Sequence, residues 1–154
     1  MDASNISLFT NGTLALIAAL KVLDLKGEVI TTPFTHPATS GSLVWENCKP
    51  VYVDIDPETY LIDINELKKR LDASPKGTYA GIIPVDFAGR AVNLEEVRKL
   101  ADEYGLWIIE DACHAPGAYF IDSKGEKQLC GNCNYADLGI FSFHPVKHIA
   151  CGEG

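Results

Sequence analysis

The sequence lacks a basic cluster, and its charge is mostly negative. Thirteen lysines and arginines stand against 21 aspartates and glutamates, which gives a formal net charge of −8. Proteins that bind nucleic acid contact its phosphates through a patch of basic side chains. The composition therefore argues against nucleic acid as a partner.

Long apolar runs are missing as well. No run approaches the roughly 20 apolar residues that a membrane-spanning helix needs. The first five residues, Met-Asp-Ala-Ser-Asn, have neither the basic segment nor the apolar segment of a secretion signal. We therefore expect a cytoplasmic protein with no membrane partner. Of the 154 residues, 47% are hydrophobic and 22% charged, which is typical of one globular domain and not of a disordered chain.

The five cysteines are an odd number, which indicates free thiols rather than a disulfide framework. Cys130 and Cys133 have the spacing of a redox pair or of half a zinc site. A redox pair is expected at the start of a helix, but these residues lie in a loop rich in glycine and asparagine before a predicted strand. No second pair of zinc ligands is evident. We predict no metal site, and thiol or zinc chemistry stays as the alternative.

Helices and strands alternate along the chain. The hydrophobic pattern predicts helices at 12–24 and 37–47 and after Asp63 and Asn93, and strands at 28–32, 51–55, 79–85, 106–111 and 138–143. Capping signatures begin the third and fourth helices, and Gly105 ends the fourth. The alternation predicts an α/β fold of three layers, α/β/α, with a mostly parallel sheet. The first helix is apolar nearly all round, so we expect it to be buried.

Ligands of such sheets bind beyond the carboxyl ends of the strands. The polar residues that follow predicted strands are Thr35, His36, Asp86, Asp111, Ser142 and Lys147. Each of them has an ordinary structural explanation when it is taken alone, such as a helix cap or a solvated loop charge. Their common position at one edge of the sheet predicts a binding site there.

The chemistry of these residues points to one kind of ligand. The helix start at Asn11-Gly-Thr-Leu14 offers backbone N–H groups and a positive dipole end to a phosphate. Asp111 can hold a cationic ring in its protonated form. Lys147, if partly desolvated, has an amine that can attack a carbonyl. A phosphate, a basic ring nitrogen and a carbonyl together describe pyridoxal 5′-phosphate.

Nearly the whole chain resembles the DegT-type family of nucleotide-sugar aminotransferases, which have the large domain of the fold type I class of pyridoxal-phosphate-dependent transferases. The specific motifs are Glu110-Asp-Ala-Cys-His114 and Ser142-Phe-His-Pro-Val-Lys147. The resemblance implies that Lys147 binds the cofactor covalently and shuttles a proton, that Asp111 pairs with the pyridine nitrogen, and that His114 contacts the ring hydroxyl. It further implies that the backbone of Gly12, Thr13 and Leu14, with Ser142, holds the phosphate.

Two positions distinguish this chain within the family. His36 stands where the family usually has an aromatic residue that stacks on the cofactor ring. Lys147 stands where the dehydratase branch has histidine, so the chain resembles an aminotransferase. The resemblance also implies a nucleotide sugar as acceptor, glutamate as amino donor and a homodimer.

The motifs at 83–89 and 141–149 resemble the branch that forms the 4-amino sugar of pseudaminic acid synthesis. The segment 32–39 resembles equally the 3-aminotransferases of other dTDP- or UDP-deoxysugars, and both substrates stay open. By comparison with the family, we expect residues 1–154 to form a partial cofactor-binding large domain without the small C-terminal domain. A truncated fragment without enzyme activity is the alternative from another class.

Overall fold

A five-stranded parallel sheet forms the centre of the computed structural model, which describes residues 5–152. The helices are α1 (Gly12–Val22), α2 (Pro37–Trp45), α3 (Ile64–Asp72) and α4 (Leu94–Tyr104). The strands are β1 (Gly27–Thr31), β2 (Cys48–Tyr52), β3 (Tyr79–Ile83), β4 (Trp107–Asp111), β5 (Tyr119–Ile121), β6 (Lys127–Leu129) and β7 (Leu138–Ile140). The sheet has the order β2-β1-β3-β4-β7, and its four strand pairs are all parallel. The antiparallel hairpin β5–β6 was not predicted from the sequence.

The strands carry apolar side chains on both faces of the sheet, because neighbouring residues of a strand point to opposite sides. One cluster packs Ile30, Ile82 and Ile108 against α3 and α4, with Leu67, Leu71, Val97 and Ala101. The other packs Val29, Ile83, Ile109 and Ile140 against α1 and α2, with Leu16, Leu20 and Leu43. Helices therefore cover both faces, and the predicted three-layer α/β/α fold is confirmed.

Side-chain caps begin three of the predicted helices, at Asn11 for α1, His36 for α2 and Asp63 for α3. Asn11 Oδ1 accepts a hydrogen bond from Leu14 N–H at 2.9 Å, and Asp63 Oδ1 accepts from Asn65 N–H at 2.8 Å. The prediction of a capping side chain at Asn93 is wrong, although α4 does start at the next residue. The Asn93 carbonyl, and not its side chain, accepts from the first turn of α4.

β2 and β7 differ from their predicted bounds by three residues, and the other three predicted strands differ by one or two. β2 begins at Cys48 and includes Pro50, because it lies at the edge of the sheet, where a missing N–H is tolerated. β7 ends at Ile140 rather than at 143, because its partner β4 ends at Asp111. The last hydrogen bond between the two segments runs from Ala112 N–H to the Ile140 carbonyl.

The prediction that the first helix is buried all round is wrong for this chain. The face of α1 that carries Leu16, Ala19 and Leu20 is buried, while Leu14 and Val22 are exposed. One sheet face can bury only one face of the helix that packs on it. In residues 5–152, no helix has both the length and the apolar character that crossing a membrane requires.

Candidate functional site

A cleft of about 610 Å³ opens at the carboxyl ends of the central strands. Eight residues occupy cofactor positions in the resemblance to the family, and seven of them line the cleft, namely Gly12, Thr13, His36, Asp111, His114, Ser142 and Lys147. Leu14 is the exception. Side chains from positions 12 to 147 of the sequence thus meet at one edge of the sheet.

The N-terminus of α1 forms one wall of this cleft. Leu14 N–H already has an acceptor in the Asn11 side chain, and Ala15 N–H donates to the Asn11 carbonyl at 3.2 Å. Among the described residues, the N–H groups of Gly12 and Thr13 have no acceptor. Two backbone donors and the positive end of the helix dipole therefore face the cleft, as an anion site requires.

Gly12 allows Ser142 to approach this helix end closely. A Cβ at position 12 would lie 3.2 Å from Ser142 Cβ and 3.4 Å from Cys113 Sγ. Any larger residue would crowd the segment that follows β7. The glycine thus brings the buried Ser142 hydroxyl next to the two free N–H groups.

Asp111 is a buried carboxylate at the end of β4. Its Oδ2 accepts a hydrogen bond from Thr39 Oγ1 at 2.9 Å, and its Oδ1 accepts from Cys113 N–H at 3.2 Å. It makes no ion pair with any residue between 5 and 152. A buried carboxylate held only by neutral donors is stabilised by a cationic ligand, because a charge pair forms more strongly away from water.

Thr39 is a site residue that the sequence analysis missed. It is buried in the first turn of α2, and its hydroxyl also lies 2.9 Å from that of Thr35. The two threonines therefore connect the segment after β1 with Asp111. The signal was present, since a helix predicted to begin at Pro37 places Thr39 within one turn of the cleft.

His114 lies near Asp111 in the turn after β4. Burial, and next the positive charge of Lys147, lower the pKa of His114 below its usual value. Its ring lies tilted against that of Phe87, with centroids 5.7 Å apart. His114 is thus held neutral, with one ring nitrogen as a donor and the other as an acceptor.

His36 caps α2 at the mouth of the cleft. Its Nδ1 accepts a hydrogen bond from Ala38 N–H at 3.1 Å. This bond requires Nδ1 to be unprotonated, so the proton of the neutral ring is on Nε2. The cap fixes the imidazole at the edge of the cleft, where the sequence analysis placed it.

Lys147 is half-buried and lines the cleft. Its backbone N–H donates to the His144 carbonyl at 2.8 Å, which fixes the turn that carries it. In the described part of the chain, its amine makes no ion pair. The amine is therefore available to a ligand in the cleft.

Asp86 does not line the cleft, although the sequence placed it at the same sheet edge. It is buried together with Glu110 and Cys130 outside the cleft. Cys133 is exposed, and all five cysteines are free. Cys130 and Cys133 thus have different environments, in contrast to the two cysteines of a shared redox or zinc site.

Comparison with known protein families identifies the family of this chain. Residues 3–154 match the DegT/DnrJ/EryC1/StrS aminotransferase family. The chain belongs to this family, as the resemblance of its motifs predicted.

Individual relatives give the extent of the similarity. The dTDP-4-amino-4,6-dideoxy-D-glucose transaminase of Escherichia coli is 42% identical over 124 residues, which is 80% of this chain and 32% of the relative. The UDP-4-amino-4,6-dideoxy-N-acetyl-beta-L-altrosamine transaminase of Campylobacter jejuni is 35% identical over 155 residues, which is 100% of this chain and 39% of the relative. The chain thus spans about a third of the length of these relatives.

The fold matches solved structures of the same family. NtdA from Bacillus subtilis, solved with bound cofactor PMP, superposes with a TM-score of 0.78 at 29% identity. The match covers 93% of this chain and 30% of NtdA. The predicted fold class, part of an aminotransferase-type α/β domain, is confirmed.

Proposed function

We propose that the protein to which this chain belongs is a pyridoxal-phosphate-dependent aminotransferase. It would move an amino group from glutamate to a nucleotide-linked keto-deoxysugar. The observation that carries the proposal is one cleft that joins the buried Asp111 carboxylate, the Lys147 amine and the N-terminus of α1. Among residues 5–152, neither Asp111 nor Lys147 makes an ion pair, and two N–H groups of this helix end have no acceptor. Membership of the family and the bound PMP of NtdA support the same cofactor.

The residues of the cleft fit this cofactor part by part. The N–H groups of Gly12 and Thr13 and the hydroxyl of Ser142 suit a phosphate, which accepts hydrogen bonds and carries negative charge. Asp111 suits the basic nitrogen of a pyridine ring. Lys147 supplies a primary amine for an aldehyde carbon.

Pyridoxal phosphate, when bound, supplies a cationic ring that accepts the electron pair left when a substrate carbon loses its proton. Asp111 holds the proton on the ring nitrogen, because a buried carboxylate favours the charged form of its partner. With the cofactor bound, the Lys147 amine would carry the proton from the amino donor's carbon to the cofactor, and in the second half-reaction from the cofactor to the sugar carbon. Neutral His114 orients the ring through a hydrogen bond to its hydroxyl group.

The proposal also covers the domain to which residues 1–154 belong and the number of subunits. We infer that residues 1–154 contribute to the large, cofactor-binding domain and that the protein works as a homodimer in the cytoplasm. Exposed apolar side chains on α1 and α2, among them Val22 and Trp45, support a partner subunit.

We further propose that carbon 4 of the sugar is aminated. Both curated relatives described above are named for 4-amino-4,6-dideoxy sugars. They differ in the nucleotide, which is dTDP in one name and UDP in the other. The sugar of pseudaminic acid synthesis therefore stays a prediction, and turnover of matched UDP- and dTDP-linked 4-keto and 3-keto sugars is the assay that decides it.

Borohydride labelling of the full-length protein tests the cofactor and its lysine together. We expect a visible absorbance band that borohydride bleaches, with the reduced cofactor recovered on the peptide that contains Lys147. Lys147→Arg should keep the charge and lose the label, and Lys124→Arg is the matched control on an exposed loop. A colourless protein that takes up no added pyridoxal phosphate would contradict the proposal and favour a fragment without activity.

A further inference from the structure

A second group of titratable side chains lies outside the cleft, on the other side of β4. Because side chains alternate along a strand, Glu110 points toward the α3 and α4 side, opposite to Asp111. It meets Asp86 from the segment after β3 and Cys130 from the loop before β7. The exposed fractions of these residues are 1%, 1% and 5%, and one polar atom of each lies within 4.8 Å of the others.

Each carboxylate of this cluster has one oxygen that accepts a hydrogen bond from a backbone N–H group. Glu110 Oε2 accepts from Gly131 N–H at 2.9 Å, and Asp86 Oδ1 accepts from Val92 N–H at 2.8 Å. Asp86 Oδ2 is buried and has no hydrogen-bond partner among residues 5–152. A buried acceptor of this kind needs a donor nearby, because its contact with water has been lost.

Within the part of the chain that the structure describes, no cation acts on the cluster. The titratable groups that act on Asp86 and Glu110 are each other, Asp111 on the opposite side of β4, and the thiols of Cys130 and Cys133 on the loop before β7. Burial, and next the negative charge of Asp86, raise the pKa of Glu110 to about 8. Burial also raises the pKa of the Cys130 thiol, which therefore remains protonated.

We propose that Glu110 is a neutral carboxylic acid whose Oε1–H group donates a hydrogen bond to Asp86 Oδ2, and that this pair positions the end of β4. In this arrangement each Glu110 oxygen has one partner, since Oε2 accepts from Gly131 and Oε1 carries the donated proton. The pair carries one negative charge in place of two. The inference goes beyond the proposed function, because it requires neither a cofactor nor a substrate.

The backbone connects this pair to the cleft. Asp86 N–H donates to the Asp111 carbonyl at 3.0 Å, and Asp111 N–H donates to the Pro84 carbonyl at 3.0 Å. The segment that Glu110 ties down through Asp86 is thus the segment that holds Asp111 from both sides. Glu110 is therefore a positioning residue for Asp111, and it does not itself touch the cleft.

The proposal fixes the sign of a pH dependence. The pKa of Glu110 is about 8 in the folded protein and near 4.5 in an unfolded chain. Between these values the folded state holds a proton that the unfolded state has released. The contribution of Glu110 to stability is therefore largest at the acid end of this interval and is lost as the pH rises through it, by up to about tenfold in the unfolding constant per pH unit.

Infrared spectroscopy of the full-length protein detects the proton directly. We expect a carbonyl band of a protonated carboxylic acid in the wild type at about pH 6, which disappears as the pH rises past about 8. Glu110→Gln should lose this band, and Glu58→Gln, which changes an exposed glutamate, should keep it. A wild-type spectrum without a band that Glu110→Gln removes would overturn the proposal.

Replacing Glu110 by glutamine tests whether its side chain acts as a hydrogen-bond donor or as a charge. The Glu110→Gln amide can accept from Gly131 and donate to Asp86, so this variant should fold and lose the pH dependence of the unfolding constant. Glu110→Ala should unfold more readily and exchange the Asp111 amide hydrogen faster, whereas Glu110→Gln should match the wild type in that exchange. Equal exchange in all three proteins would refute the positioning role.

Two further measurements exclude the competing explanations. Cys130→Ala should keep the pH dependence, and its loss in this variant alone would show that the thiol is the donor to Asp86. Purified protein should contain no stoichiometric zinc, and its stability should not change with a chelator. Bound zinc whose removal destabilises the protein would replace the proton by a metal ion and overturn the proposal.

Discussion

The two helical layers of the molecule differ in the surface that they present away from the sheet. The outer faces of α3 and α4 carry four ion pairs, Glu66–Lys69, Lys68–Asp72, Glu95–Lys99 and Arg98–Asp102. Lys21 is the one charged residue of α1, and α2 has none. Val22, Val44 and Trp45 on these two helices are 77%, 62% and 75% exposed.

The difference indicates which helical layer has a surface suited to water. Single exposed ion pairs add little stability, so the charges of α3 and α4 mark a surface that faces water. Exposed tryptophan and valine side chains on α1 and α2 are instead typical of a surface that another part of a protein covers. The candidate site lies on this second side, because the N-termini of α1 and α2 supply Gly12 and His36 to the cleft.

Replacing Asp111, on the incompletely covered side, should have the largest effect. Asp111→Asn retains the volume and can still bond to Thr39, but it loses the charge that keeps a pyridine nitrogen protonated. We expect turnover by the full-length protein to fall on the order of 10²–10³-fold, which is typical for the loss of one electrostatic contact in an active site. Unchanged transamination rates in the mutant would show that Asp111 has another role.

Truncating one apolar side chain in each helical layer should lower the free energy of unfolding by different amounts. Leu67 on α3 is fully buried, so Leu67→Ala should lower the free energy of unfolding by about 2–5 kcal/mol. Val22→Ala on the exposed side of α1 should change the stability of an isolated chain by about 0.5 kcal/mol or less. Denaturant titration measures both variants, and a large loss for Val22→Ala would mean that α1 is already covered.

Self-association is the third way to test the comparison. We expect residues 1–154 alone to self-associate through α1 and α2 at protein concentrations on the order of tens of micromolar, where weak but specific protein complexes form. Trp45→Glu should shift the population toward monomer, because it places a charge on that surface. Lys69→Glu, on the outer face of α3, is the control that should leave sedimentation unchanged, and a wild-type chain that sediments as a monomer would remove the basis for the comparison.

Removing a helix cap should give the smallest change in stability, and it compares one cap at the cleft with one cap away from it. Asn11→Ala and Asp63→Ala each remove a cap, so each should lower the free energy of unfolding by about 1 kcal/mol. Only Asn11→Ala should also change the affinity for pyridoxal phosphate, since Asn11 orders the helix end at the cleft. Fluorescence titration with the cofactor measures this difference. Equal affinities in the two variants would show that the Asn11 cap does not contribute to the phosphate site.

Local sequence patterns predicted the elements better than their environments. Asp63 and Gly105 marked the start of α3 and the end of α4, because capping and a left-handed residue are local events. The burial of α1 was predicted wrongly from its composition, because composition records which residues are apolar and not which surface covers them. The hairpin β5–β6 was missed, since its three-residue strands are too short to show an alternating pattern.

At the candidate site, too, the chemistry of single residues was predicted better than their contacts. The motifs that end in His114 and Lys147 pointed to the cofactor class, because each residue type has a distinct chemistry at a strand end. Thr39 and the partners of Asp86 could not be placed, because their contacts bridge segments that are distant in the sequence. The hydroxyl of Thr39 reaches a carboxylate 72 residues away.

The sequence by itself determined the alternating order of helices and strands and the family, and it named seven residues that line the cleft. The tertiary structure decided that Gly12 and Ser142 touch, that Asp111 is buried without a cation, and that Glu110 faces Asp86. The physical reason is that periodicity and capping act within a few residues. Burial, hydrogen-bond partners and shifted pKa values depend on which distant segments the folded sheet brings together.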